Sequence, residues 1–146
     1  MSPDALKRFA IFAELGDEER EIVASLLEQR RLVDGKSAFR EGSESDGLVL
    51  LESGRLKLRS RRRPGVLGTL EAPDHLGAAS LFAFGKREVT ALADGGCTVW
   101  ILSRSSLSRL VDDCPRAAFR IAEAVASELA GLSRQGLDAI AGSDSA

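Results

Sequence analysis

The hydrophobic period of this chain changes twice, from three-and-four to two and back, which confines it to a β-structured centre with helices at both ends. From Asp4 to about Gln29, Leu6, Phe9, Phe12 and Leu15, then Ile22, Val23, Leu26 and Leu27, recur at helical spacing and mark one apolar face. Between them Gly16 reads as a stop, Asp17 as an N-cap, and Glu18-Glu19 as first-turn acids that complement the helix dipole. Residues 1–30 are therefore expected to form a helical preface of two short helices.

From Arg31 to about Leu102 the period falls to two and turn signals recur, the pattern of a small sandwich or barrel of roughly seven or eight strands. Asp34-Gly35 and Glu41-Gly42 punctuate the first short strands, and Glu52-Ser53-Gly54 closes the apolar run Leu48-Val49-Leu50-Leu51. Leu56 and Leu58 alternate with Arg55, Lys57 and Arg59; Pro64-Gly65 is expected to turn the chain, and Val66 to Leu70 answers. Strands at Val89 to Ala93 and Thr98 to Leu102 flank the turn Asp94-Gly95-Gly96.

The helical period returns at Ser103, first in Leu107, Leu110 and Val111, then in one long helix with Pro115 in its first turn. Ala118, Ala122, Val125, Leu129, Leu132, Gly136 and Ala139 follow four-three spacing, the stripe of a helix packed closely along another surface. The expectation is one domain over 1–141, with a β-roll at 31–102, helices at 103–141 and a frayed tail at 142–146. The fold class is mainly β with flanking helices.

Charge and composition exclude several functions. A net charge of −2 supplies no global positive field for nucleic acid or an anionic membrane, so any anion site must be local. No apolar segment is long enough for a membrane span, and Met1 to Leu15 is too interrupted by charge for a signal peptide. Cys97 and Cys114 lie far apart, and the single His75 has no partner at metal-ligand spacing. No catalytic triad, carboxylate pair or metal cluster can be assembled, so the chain is expected to be a non-enzyme of the reducing cytoplasm, with no metal and no required cofactor. The basic run Arg59 to Arg63 reads as a solvated hairpin tip, or alternatively as a contact for an acidic partner or a phosphate. Trp100, Phe82, Phe84 and Phe119 read as core residues.

Two segments carry a family resemblance. Val33-Asp34-Gly35-Lys36 and the stretch Arg40 to Leu56, with Gly35, Gly42 and Gly54 at its turns, resemble the glycine-spaced opening strands of cyclic-nucleotide-binding domains. Leu76-Gly77-Ala78-Ala79-Ser80-Leu81-Phe82, followed by Gly85-Lys86-Arg87-Glu88-Val89-Thr90-Ala91, resembles that family's phosphate-binding cassette. The chain thus looks like a stand-alone domain of the catabolite-activator and protein-kinase-regulatory type, with a degenerate cassette. The resemblance implies an eight-stranded, jelly-roll-like double-stranded β-helix, N-terminal helices and a long C-terminal helix. It also implies that Arg87, with Gly77, Ala78, Ala79 and Ser80, and with Thr90 adding a hydroxyl, holds a phosphate. Guanidinium forks and helix-start amides suit that role. Arg120, Glu123 and Ser127 are the candidate base caps from the last helix. Ala78 stands where the family carries the acid that accepts from the ribose 2′-hydroxyl, and so weakens any binding of cyclic AMP or cyclic GMP.

Two functions follow as expectations. One is a regulatory signal-transduction module that binds a small phosphate-containing ligand and signals through its C-terminal helix to a protein partner. The alternative is a ligand-independent interaction or dimerisation module, a homodimer through the 115–140 helix. Direct DNA binding is not expected, because no helix-turn-helix follows the long helix in this sequence.

Overall fold

A computed structural model describes residues 1–144, with side chains described through Leu137. The preface comprises α1 (Pro3–Leu6), a 3₁₀ turn (Ala10–Phe12) and α2 (Asp17–Leu26). The N-cap of α2 is Gly16 and not Asp17 as predicted; the Glu19 carboxylate reaches back to accept from the Gly16 N–H at 2.7 Å, so the acid closes the box from inside the helix. Strand structure starts earlier than the periodicity indicates, at Glu28.

Eight strands follow: β1 (Glu28–Leu32), β2 (Ser37–Phe39), β3 (Gly47–Ser53), β4 (Arg55–Ser60), β5 (Arg63–Glu71), β6 (Asp74–Leu76), β7 (Thr90–Ala93) and β8 (Cys97–Ser103). They form two antiparallel four-stranded sheets, ordered β1-β8-β3-β6 and β2-β7-β4-β5, the β-roll that the resemblance implies. A 3₁₀ turn (Ala78–Leu81) interrupts the roll between β6 and β7. Helices α3 (Arg104–Asp113) and α4 (Pro115–Asp144) complete the chain.

The run Leu48 to Leu51 shows why the central strand lacks alternation. Leu48 and Leu50 face the helical core with Leu6, Phe12, Leu110 and Ile121, whereas Val49 and Leu51 face the core between the sheets with Leu56, Ala91 and Val99. A strand covered on both sides reads as continuously apolar. The tight turn after it depends on Gly54, at φ +90°, where a Cβ would lie 2.6 Å from the Gly96 carbonyl oxygen.

Four further expectations change. The β4–β5 hairpin turns at Arg61-Arg62, with Ser60 opposite Arg63, and Pro64-Gly65 lies inside β5. Proline is tolerated there because β5 is an edge strand. Phe82, Phe84 and Phe119 are exposed, not core. The helix stripe divides: Ala118 and Val125 are buried, whereas Leu129 and Leu132 are exposed. Helix α4 continues through Asp144, past the predicted fraying point at Gly142, while Ala139 belongs to the side chains outside the described residues, as do Ser145 and Ala146 altogether.

Candidate functional site

The site is built around the loop that joins β6 to β7. Its first residue, Gly77, adopts the left-handed conformation at φ 76°, which turns the chain from β6 into the 3₁₀ turn. A Cβ at Gly77 would collide with the Arg87 guanidinium, so this glycine serves both the turn and the close approach of the arginine. Leaving the turn, the chain is pinned to the β2–β3 loop. The Arg87 carbonyl accepts from the Gly42 amide at 2.8 Å, the Arg87 amide donates to the Ser43 carbonyl at 2.8 Å, and the Ser45 amide donates to the Gly85 carbonyl at 2.9 Å.

This double anchorage draws the Arg87 side chain inward, to 8% exposure. Nη2 donates to the Gly47 carbonyl at 2.8 Å and Nη1 to the Ser80 hydroxyl at 3.2 Å, while the guanidinium stacks 4.2 Å from the centre of the Phe39 ring. Nε is buried and has no hydrogen-bond partner. Burial lowers the pKa of Arg87, and the charge of Asp46 opposes that shift. Arg87 lines a cavity of about 280 Å³ with Phe39, Asp46, Val49, Ile101 and Ser103. It pairs with neither Glu88, which is exposed, nor Glu71, which lies near Arg55.

The other predicted residues divide around this centre. Gly77 and Ser80 meet Arg87 directly, and the Ser80 hydroxyl also bonds that of Ser45. Ala79 is exposed at the turn. Ala78 is buried and belongs to the same apolar cluster as Leu48, Leu50 and Leu81. Thr90 is turned to another purpose: its hydroxyl accepts from the Glu41 amide at 2.9 Å and borders a different hollow, with Lys36, Arg40 and Arg61. Arg120 donates to the Glu14 carbonyl at 2.9 Å and the Glu19 carboxylate at 3.0 Å, tying α4 to the preface. Glu123 and Ser127 are exposed. Further along α4, Glu128 also reaches the roll, 2.7 Å from Nε2 of His75, two positions before Gly77.

Sequence reasoning misses Phe39, Ser45, Asp46 and Gly47, which complete the surroundings of Arg87, and Arg104, which holds the loop from below. The polar stretch Ser43 to Gly47 looks like an ordinary turn, and long-range contacts, among them the pairing of Glu44 with Lys86, bring it to the arginine.

The buried Nε of Arg87 is a donor without an acceptor, which a phosphate oxygen would satisfy. Ala78 offers no atom to a ribose hydroxyl, and its methyl group is committed to the apolar cluster.

Comparison with known proteins agrees with the architecture. The family described as cyclic nucleotide-binding domain matches residues 29–114, more than half of the chain. A cAMP-dependent protein kinase regulatory subunit of Yarrowia lipolytica is 29% identical over 106 residues, 73% of this chain and 28% of the relative's length. The chain thus spans little more than a quarter of that relative. The N-terminal domain of a transcriptional regulator from Streptomyces coelicolor A3(2) superposes with a TM-score of 0.80 and 27% identity, covering 88% of this chain and 94% of the other. Thermus thermophilus catabolite activator protein gives a TM-score of 0.74 and 26% identity, covering 90% of this chain and 63% of the other. The regulatory domain of Toxoplasma gondii PKA, crystallised with cAMP, gives 0.71 and 26%, covering 88% and 49%.

Proposed function

Since the chain belongs to the cyclic nucleotide-binding domain family, we propose that it is a regulatory module whose Arg87 pocket takes the phosphate of a small ligand and whose C-terminal helix passes the signal on. The observation that carries this reading is Arg87 itself, a buried residue that lines a cavity and whose Nε has no hydrogen-bond partner among the described residues. A buried donor without a partner costs free energy, and an anion that satisfies it recovers that cost on binding. With Ala78 in place of an acid, one charge-assisted hydrogen bond to ribose is absent, worth about 1.5–3 kcal/mol, or roughly tenfold to a hundredfold in affinity. The ligand is therefore recognised by its phosphate more than by its ribose, and cyclic AMP and cyclic GMP bind weakly. Signalling requires the ligand to prefer one arrangement of α3 and α4 over another, since equal affinity for both shifts nothing. The receiver is a protein partner.

Thermal melting with cyclic AMP, cyclic GMP and a cyclic dinucleotide tests the reading. A saturable rise in melting temperature with at least one, lost in Arg87→Gln, is expected; a ligand at about a hundred times its Kd contributes ~2.7 kcal/mol. No shift with any of them overturns it.

A second reading has its own observation. Beyond Val125, α4 presents Leu129, Leu132 and Leu137 to solvent at 46%, 59% and 66% exposure, a stripe suited to a second copy of the helix. On that reading the chain is a ligand-independent dimerisation module. Light scattering decides it: a dimer that Leu132→Glu converts to monomer supports it, and a wild-type monomer removes it.

A further inference from the structure

We propose that Arg104 is the positioning residue that links the Arg87 site to the C-terminal helices, acting through Ser80, whose two polar groups are shared between the two guanidiniums. Arg104 is the first residue of α3, and its amide donates to the Asp46 carbonyl at 2.8 Å. Its guanidinium converges on three carbonyls of the site loops. Nη2 lies 2.7 Å from Ala83 O, 2.9 Å from Ser80 O and 3.1 Å from Ser45 O, and Nε lies 3.2 Å from Ser80 O. Phe84 covers the group at 4.0 Å, so the exposed ring that hydrophobicity assigns to the core is the cover of this clasp.

Ser80 is the shared element. Its carbonyl is held by Arg104, and its hydroxyl is held by Arg87 Nη1 and the Ser45 hydroxyl. An anion that draws the Arg87 guanidinium toward the cavity loosens or redirects the bond to Ser80. The displacement reaches Arg104 through a single residue. From Arg104 it enters α3, whose Leu107 and Leu110 share one core with Ala117, Ile121 and Val125 of α4. A planar fork suits this work because it can hold Ser45 and Ser80 together; a lysine ammonium is a point donor on a flexible stem and cannot fix both in one plane.

The inference rests on the phosphate reading of Arg87 only for its ligand arm, so the test has two arms. The first uses no ligand. In the ¹⁵N-labelled 146-residue chain, Nε–H exchange of Arg87 is measured in wild type, Arg104→Lys and Arg104→Met, and amide exchange across residues 104–111 is measured in wild type, Arg87→Lys, Arg104→Met and the double variant. Coupling predicts that Arg104→Met speeds Arg87 Nε–H exchange by about threefold or more, that Arg104→Lys lies between, and that the effects of Arg87→Lys and Arg104→Met on α3 are non-additive. A local staple would alter the melting temperature while leaving Arg87 Nε–H exchange as in wild type and the two effects additive, and that result overturns the proposal. If Arg104→Met does not fold, Arg104→Lys carries the same two readouts. The second arm titrates wild type with cyclic AMP and inorganic phosphate. A perturbation of the α3 amides that Arg104→Met abolishes supports the link, whereas α3 shifts that persist in Arg104→Met count against it. If neither probe binds, the exchange rates of the first arm decide the coupling by themselves.

Discussion

The two ends of the β6–β7 loop have parted company. Around Arg87 the loop is polar, buried and cross-linked: a guanidinium bonded to Gly47 and Ser80, backbone clasps to Gly42 and Ser43, and one donor left unpaired. Around Ala78, at the other end of the same loop, the chain is apolar and filled, with the methyl packed among Leu48, Leu50 and Leu81. The difference teaches that one end of a loop can be closed by apolar packing while the other end keeps a buried donor unpaired. A surplus donor at Arg87 costs stability unless something occupies it, whereas a small apolar residue at Ala78 contributes stability with no ligand at all.

The largest effect should come from reversing the apolar end. Ala78→Glu places a carboxylate in the apolar cluster of Leu48, Leu50 and Leu81, and a buried charge left unpaired costs about 3–5 kcal/mol. Urea unfolding at neutral pH should show that loss, with no gain in affinity for cyclic AMP. A variant of near wild-type stability that binds cyclic AMP about tenfold more tightly would break the comparison, because Ala78 would then face the ligand and not the core.

Gly77→Ala probes the point where the two ends touch. Alanine in the left-handed region costs about 1–3 kcal/mol, and its Cβ meets the Arg87 guanidinium. The polar end should suffer beyond the global loss. Amide exchange at residues 42–45 and 85–88 should accelerate more than exchange in β3 and β8. Equal acceleration in all four segments would mean that the glycine serves the turn alone.

Much of this arrangement is legible in the sequence, and the exceptions share a cause. Leu48 to Leu51 announces a strand and Pro115 a helix start because each signal is local, whereas the loop from Leu76 to Ala91 is legible through its resemblance to the family's cassette. The β4–β5 hairpin is displaced from its local signal because its turn is chosen by a distant residue. The Glu41 carboxylate accepts from the Ser60 hydroxyl at 2.8 Å and meets Arg61 Nε at 3.0 Å, fixing the turn at Arg61-Arg62 over the local preference of Pro64-Gly65. Hydrophobicity alone places Phe84 in the core, and only the fold supplies the guanidinium that it covers. The stripe on α4 is real as a pattern, but periodicity does not say whether the surface that covers it belongs to the same chain. At the hairpin and at Phe84 a side chain far away in sequence overrides what the neighbours imply.

The smallest expected effect sharpens the comparison through pH. Glu41 sits in the β2–β3 loop that clasps Arg87, its amide bonded to Thr90, and the Ser60 hydroxyl, with help from the Arg61 amide and charge, holds its carboxyl below the usual range. A carboxylate with a depressed folded pKa contributes stability above its unfolded pKa and loses that contribution as pH falls through the folded value. The polar end should therefore loosen below about pH 4.5 before the apolar end does, because the Ala78 cluster is built from apolar side chains. Glu41→Gln should remove that acid-dependent step while leaving the neutral-pH fold intact, as read by fluorescence melts and amide exchange between pH 7 and pH 3. If wild type and Glu41→Gln lose protection at residues 42–45 in parallel as pH falls, the clasp on Arg87 does not depend on Glu41.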